Sequence, residues 1–325
     1  MMFWRPLLFL SLFGFIQAQT SPAGAETFPA RPVRVIVAYP AGGSTDTTAR
    51  LLAQALSEKM HDNFIVENRS GAGGVIGADY VAKAPADGYT LLYAASPELS
   101  LATSTKKSVP YDPVKDFATI SFVGRVPFVL VANKNFPPNN VQELIAYTRE
   151  HPTSVNFSSF GTGTSNHLTG ELLNLRAGIK MRHIPYRGSA PSLTDLMAGQ
   201  IQVTFDTITA VLPLIRSGQI KALAVATPER LKMLPGVPTM AESGMPGFTA
   251  GTWFALMAPA GTPPTVVSQL SKTTSEVLAS AYLQKAFETQ GVVTENRNQE
   301  AFNQFLTGEI DKWHKVIEQI GLVPQ

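Results

Sequence analysis

The residues best placed to do chemistry in this chain are Tyr39, Pro40, Ala41, Gly42, Gly43, Ser44, Thr45 and Asp46, and the chemistry is the holding of an anion. An apolar run, Val33 to Ala38, enters this segment and an amphipathic helix leaves it. Ala49, Leu52, Ala53, Leu56 and Met60 recur at the spacing of one helical face. At a helix N-terminus the first amides lack intrahelical acceptors and the macrodipole is positive. Backbone N–H groups there can hold a carboxylate or phosphate without a cationic side chain. Gly42 and Gly43 allow close approach, and a β-branched residue at Gly43 is expected to be the most damaging change. A plain strand-to-helix turn capped by Ser44 or Thr45 fits the same residues.

A second loop of this kind runs from Ser158 to His167. Phe160, Gly161, Thr162, Gly163, Thr164 and Ser165 expose backbone and hydroxyl donors, and Thr164 or Ser165 can cap the helix bearing Leu168, Leu172 and Leu175. His167, in the first turn of that helix, either holds an anion when protonated or locks the loop by a structural hydrogen bond. Arg187, in Pro185-Tyr186-Arg187-Gly188, either binds an acidic ligand or pairs with a loop carbonyl. Asp206 closes another apolar run, where it caps the next helix or recognises a ligand amine or hydroxyl. Ser96, just beyond the run Thr90 to Ala94, completes the candidate ligand contacts. The loop Asn68 to Gly74 half matches a dinucleotide fingerprint, but its third glycine falls at Gly77, one position late. Close helix-on-strand packing, with Gly73 and Gly74 lining a cleft wall, is the better account.

These loops need strands and helices to position them. Besides Val33 to Ala38, the runs Phe64 to Glu67, Thr90 to Ala94, Phe128 to Ala132, Val155 to Ser158, Met181 to Pro185, Ile201 to Phe205, Lys221 to Ala226 and Phe254 to Ala258 read as strands. Helical patterns lie between most of them and stop at Gly178, Gly199, Gly218 and Gly321, as a left-handed C′ residue requires. Alternation of this kind predicts an α/β fold with doubly wound, mostly parallel sheets, whose ligand sites lie off the carboxyl ends of strands. A Pro-rich stretch, Leu234 to Phe248, suggests a discontinuous layout. Residues 26–126 with 250–325 form domain I and 127–249 form domain II, the two crossovers acting as a hinge.

Composition narrows the partners. The 325-residue chain carries a formal charge of +2 and no cysteine, which excludes disulfides and thiol chemistry. Apart from Lys106-Lys107 its cations are scattered, so no nucleic acid partner is expected. Residues 1–25, with Arg5 before an apolar run and Ala23-Gly24-Ala25 behind it, read as a cleavable signal peptide. That run is too short for a permanent membrane anchor. An exported monomer of the bacterial periplasm is the expectation.

Beyond these features, the mature chain resembles the substrate-binding proteins of tripartite tricarboxylate transporters, the TctC or Bug family. The resemblance rests on Val37 to Gly43 with Asp46 and Ala49-Arg50, on Val66 to Arg69 with Gly71 to Gly74 and Ile76-Gly77, and on Pro85 to Leu91. It continues through Pro110 to Pro113 with Asp116-Phe117, Gly161 to Thr164 with His167-Leu168, Pro185 to Gly188, and Leu234 to Thr239 with Glu242 and Gly244. It implies a two-domain periplasmic binding protein fold of type II character, with a cleft between lobes that closes on a small carboxylate or dicarboxylate. Membrane subunits of the transporter are the implied partners, and no cofactor or metal is implied. It also implies that Ala41 to Thr45 hold the ligand carboxylate through amides and ordered waters, with Thr162 to His167 opposite. Ser44 departs from the family, where glycine is the more usual residue.

An exported enzyme acting on a small carboxylate is the competing class. The chain has no G-x-S-x-G elbow, no H-E-x-x-H pair and no Walker loop, so no catalytic residue is assigned. A solute sensor feeding a membrane kinase would use the same cleft.

Overall fold

The computed structural model describes residues 28–295, 297 and 299–324 together with the first two residues; the rest of the leader read at 1–25 lies outside them. All nine apolar runs form strands: β1 (Val33–Val37), β2 (Phe64–Asn68), β3 (Thr90–Ala95), β4 (Phe117–Asn133), β5 (Asn156–Ser159), β6 (Arg182–Pro185), β7 (Val203–Thr207), β8 (Ile220–Val225) and β9 (Gly251–Pro259). The helices are α1 (Ser44–Met60), α2 (Val75–Ala82), α3 (Ala102–Thr105), α4 (Val141–Glu150), α5 (Ser165–Ala177), α6 (Ser189–Ala198), α7 (Ile208–Arg216), α8 (Pro264–Leu278), α9 (Ala281–Thr289) and α10 (Gln299–Gln319). Gly178, Gly199, Gly218 and Gly321 follow α5, α6, α7 and α10 with positive φ, as expected.

The strand order is β2-β1-β3-β9-β4-β7-β5-β6, with β8 on the free side of the second half of β4. β1 pairs in parallel with β2 and β3, and β5 with β6 and β7. β9 runs against β3 and β4, and β4 runs against β7 and β8. Each half of the sheet is thus a parallel set with one reversed strand, the two-lobed α/β arrangement expected.

The length of β4 differs from the sequence reading, which saw only residues 128–132. Its first part is interrupted by Thr119, Ser121, Gly124, Arg125 and Pro127, and its register against β9 shifts twice, so the apolar period is broken. Pro127 sits opposite Gly251 where β4 leaves β9 and takes up β7 at Phe128. A proline without a ladder donor suits the place where pairing changes partner.

Core packing also crosses that point. Phe302 and Leu306 of α10 pack with Ile36, Leu92 and Phe122. Trp313, Val316 and Ile317, two turns on, pack with Phe128, Phe157 and Phe205. One helix therefore straps both lobes.

Gly77, the displaced glycine of the third loop, explains how α2 sits on β1. A Cβ there would lie 2.8 Å from Ala38 Cα, Ala38 Cβ and the Arg69 carbonyl oxygen, so backbone would have to move. Gly77→Ala is expected to cost about 1–3 kcal/mol of stability. Urea unfolding checks this, and an unchanged midpoint would show that the close approach is not required.

Candidate functional site

Each candidate loop follows the carboxyl end of a parallel strand. The first joins β1 to α1. Gly43, not Ser44 or Thr45, is the N-cap of α1, with φ −78° and no side-chain cap. The first helical hydrogen bond is Thr47 N–H to the Gly43 carbonyl, so the amides of Ser44, Thr45 and Asp46 have no intrahelical acceptor. Gly42 carries the positive φ, +88°, and is the glycine the turn requires; the expectation placed on Gly43 moves one residue back.

Asp46 is 3% exposed and folds beneath this turn. It accepts from Gly42 N–H at 2.9 Å, Asn68 Nδ2 at 2.8 Å and Arg50. Burial pushes its carboxyl up, but the bonds from Arg50, Gly42 and Asn68 outweigh that and hold it below the usual carboxylate range. Its role is to fix the turn. Ala41, Gly42 and Gly43 are exposed beside it and Ser44 is half-buried.

In the second loop Thr164 is the N-cap of α5, again without a side-chain cap. Its hydroxyl donates to the Gly161 carbonyl at 2.6 Å and to Asn166 Oδ1 at 2.8 Å. Asn166 Oδ1 also accepts from the amides of Phe160 and His167. His167 is 4% exposed, and its Nδ1 accepts from Gly163 N–H at 3.1 Å. The His183 ring lies 3.9 Å away, centroid to centroid. Burial, with His183 alongside, pulls the His167 imidazole down to about 3, and burial pulls His183 down to about 4. His167 is therefore a neutral acceptor that locks the loop. A protonated, anion-holding His167 is not what this environment supports: the nearest carboxylate, Glu171, stands 3.8 Å from Nε2 and is itself pushed up by burial, so it does not offset the cost of burying the imidazolium. Thr162 remains exposed and Ser165 is buried at the start of α5.

Asp206, fully buried at the end of β7, accepts from Ser189 Oγ and Thr207 N–H, both at 2.6 Å. The N-cap of α7 is Thr207, so Asp206 does not cap that helix. Burial raises its carboxyl to about 6. Arg187 is exposed and makes no ion pair or hydrogen bond among the described residues. Ser96, 2% exposed, shares a 3.2 Å hydrogen bond with Thr252 of β9.

The two lobes meet at the second loop. Gly163 packs against Thr105, and a pocket of about 80 Å³ is lined by Gly73, Thr105, Lys106, Thr162, Gly163 and Thr164. Gly73 lines this wall as expected; Gly74 does not line the pocket, but packs against Glu98 and Tyr39 instead. Residues 41–45 do not line this pocket. A larger groove of about 820 Å³ lies beside the crossover, lined by Arg125, Pro127 and Gly251 with residues of the segment after β8, α9 and α10, and gathers none of the candidate site residues.

Glu98, missed by sequence reasoning, is fully buried in a π-helical turn, Pro97–Leu101, after β3. It accepts from Ala95 N–H at 2.5 Å and Tyr39 Oη at 2.6 Å, and its carbonyl accepts from Tyr111 Oη. Burial raises its carboxyl to about 7. The only signal in the sequence was a lone acid among small and apolar residues.

The buried groups set opposing pH dependences. Neutral His167 and His183 support the fold fully above the ordinary histidine value of 6.5, and that support is lost as pH falls toward their depressed values. Glu98 and Asp206 have raised values, so their contribution is whole below the ordinary carboxylate range and is lost as pH rises through about 6 to 7. The melting temperature should therefore peak on the acid side of neutrality, and His183→Gln should flatten the acid limb. A melting temperature that keeps rising down to roughly pH 4 contradicts buried neutral imidazoles.

Known proteins resemble this chain along nearly its whole length. The model of the tripartite tricarboxylate transporter family receptor matches residues 48–322. The protein BugT of Bordetella pertussis is 40% identical over 318 residues, 98% of each chain. A solved R. palustris protein with adipate is 36% identical, at TM-score 0.81, over 92% of this chain and 100% of that one. MatC from Rhodopseudomonas palustris with bound malate is 33% identical, at TM-score 0.77, over 89% of this chain and all of its own.

Proposed function

This chain belongs to the tripartite tricarboxylate transporter receptor family, and we propose that it is a periplasmic receptor that closes two lobes on a small carboxylate or dicarboxylate. It delivers that solute to membrane subunits of a tripartite tricarboxylate-type transporter and has no turnover of its own. The observation that carries the reading is the first loop: three amides at the start of α1 without intrahelical acceptors, over a turn that Asp46 braces from behind. Neighbours holding adipate and malate support the carboxylate class. Among the described residues no helix is long and apolar enough to cross a membrane, and no cluster of potential metal ligands is present.

The lobes divide at 26–126 with 250–325 and at 127–249, the hinge lying at 125–128 and 245–251. The second half of α10 reaches across to the second lobe. The ligand contacts comprise the 41–45 turn, whose Gly42 amide is held by Asp46 and whose remaining amides are left to the ligand, with Tyr39 and Ser96 on one side. Phe160, Thr162 to Ser165, Arg187 and Asp206 complete them on the other.

Thermal melting against a panel of mono- and dicarboxylates, adipate and malate included, tests the reading. A true ligand at 100 times its Kd adds about 2.7 kcal/mol and raises the melting temperature. A flat panel, or recovery of a chemically altered solute at catalytic yield, overturns it. Scattering should show a smaller radius of gyration at saturation if the hinge closes.

Gly42→Ala forces a left-handed conformation on a residue with a Cβ, although nothing lies within 4 Å of that atom. Calorimetry should show it weakening binding more than Ser44→Ala, whose loss is about 0.5–1.5 kcal/mol if one neutral hydrogen bond is removed. The reverse order would make the serine hydroxyl the determinant and reject the backbone cradle.

A further inference from the structure

Glu98 poses a physical problem. A fully buried carboxyl has no cation bonded to it among the described residues, yet it sits behind the wall of a cleft read as receiving another carboxylate. The groups around it are mostly neutral donors: Ala95 N–H on one oxygen and Tyr39 Oη on the other. Burial, with Glu98 beside it, keeps the Tyr39 hydroxyl protonated. From the packed elements the titratable groups are Tyr111, whose Oη holds the Glu98 carbonyl, and Asp79 of α2, whose charge acts on Tyr111. Lys106 packs against Gly73 at the end of α3. Across α10, Glu309 and Lys312 pair with each other and His314 bonds Ser104. None of these cations bonds to Glu98, so its ionised form is held by hydrogen bonds alone.

Tyr39 has a second acceptor. Its Oη lies 3.4 Å from the Gly73 carbonyl, and Gly73 lines the pocket shared with Thr162, Gly163 and Thr164 of the opposite lobe. When Glu98 is ionised, Tyr39 donates to it. When Glu98 takes a proton from solvent, its own O–H donates to Tyr39 Oη, and the tyrosine proton turns to the Gly73 carbonyl. The proton state of one buried group is thereby expressed at the cleft wall.

We propose, resting on the carboxylate-receptor reading above, that Glu98 is a positioning residue and that capture of a carboxylate in the cleft is coupled to uptake of one proton from solvent by Glu98, relayed to the 71–74 loop through Tyr39. Like charges in a low-dielectric setting disfavour one another, so an anion arriving near ionised Glu98 favours its protonation. Near neutral pH the group is poised to respond, because burial, outweighing the hydrogen bonds from Ala95 and Tyr39 that lower it, raises it to about 7. By linkage, binding strengthens as pH falls, by at most about tenfold per pH unit for one coupled proton.

Calorimetry at pH 7 in buffers of differing ionisation enthalpy measures the protons taken up per carboxylate bound, using the same mono- and dicarboxylate panel with adipate and malate. The wild-type protein should take up a fraction of a proton, and its Kd should rise between pH 6 and pH 8. Glu98→Gln, which keeps the acceptor for Ala95 N–H, should abolish the uptake and flatten the Kd profile while still binding. Should that variant fail to fold, Asp206→Asn takes its place: uptake that survives removal of the other raised carboxyl supports Glu98, and uptake lost with Asp206 overturns the coupling. Binding by the wild-type protein with no proton uptake and a flat profile overturns the coupling but leaves the receptor reading intact. Uptake that persists in folded Glu98→Gln assigns the proton elsewhere and overturns it as well. Failure of every panel member to bind overturns both.

Discussion

The architecture depends on β4, one strand whose backbone pairing passes from one set of partners to another. Up to Pro127 it pairs with β9, and from Phe128 it pairs with β7 and β8. Because Pro127 has no N–H to offer, the ladder is weakest where the lobes join. Gly251 opposite it is held so close that a Cβ would lie 2.6 Å from the Val126 carbonyl oxygen. The strand continues without a loop, so the relative direction of the two lobes is set by one strand. The strap of α10 packs in both lobes.

This geometry decides which loops face one another. All strands but β9 in the first lobe and β4 in the second point their carboxyl ends toward the crossover, so the N-termini of α1, α5, α6 and α7 converge there. The two principal loops are built differently. In the first, a side chain from the helix, Asp46, takes the Gly42 amide, while the amides of Ser44, Thr45 and Asp46 have no intrahelical acceptor. In the second, Asn166, His167 and the Thr164 hydroxyl consume much of the loop's own hydrogen-bonding capacity. One loop leaves backbone donors without intrahelical partners and the other spends its own internally.

Buried polar groups around the cleft are satisfied by hydrogen bonds and seldom by opposite charges. His167 and His183 lie ring against ring at a tilt and are neutral, and Asp206 and Glu98 rest on hydroxyls and amides. Such groups gain rigidity at the expense of sensitivity to pH, since each ionised form is only marginally supported.

By itself the sequence determined the nine strands, the glycine stops and the positions of both loops, because these follow from local apolar period and backbone conformation. Family motifs in order along the chain determined the class of protein. Tertiary structure alone decided that Gly42 and not Gly43 holds the positive φ, that His167 accepts from Gly163, and that β4 runs from 117. It alone set Glu98 against Tyr39, residues 59 positions apart. Each of these depends on which chain segment packs over another. A lone acid in a small-residue run carries no mark of the tyrosine and the missing cation that fix its protonation.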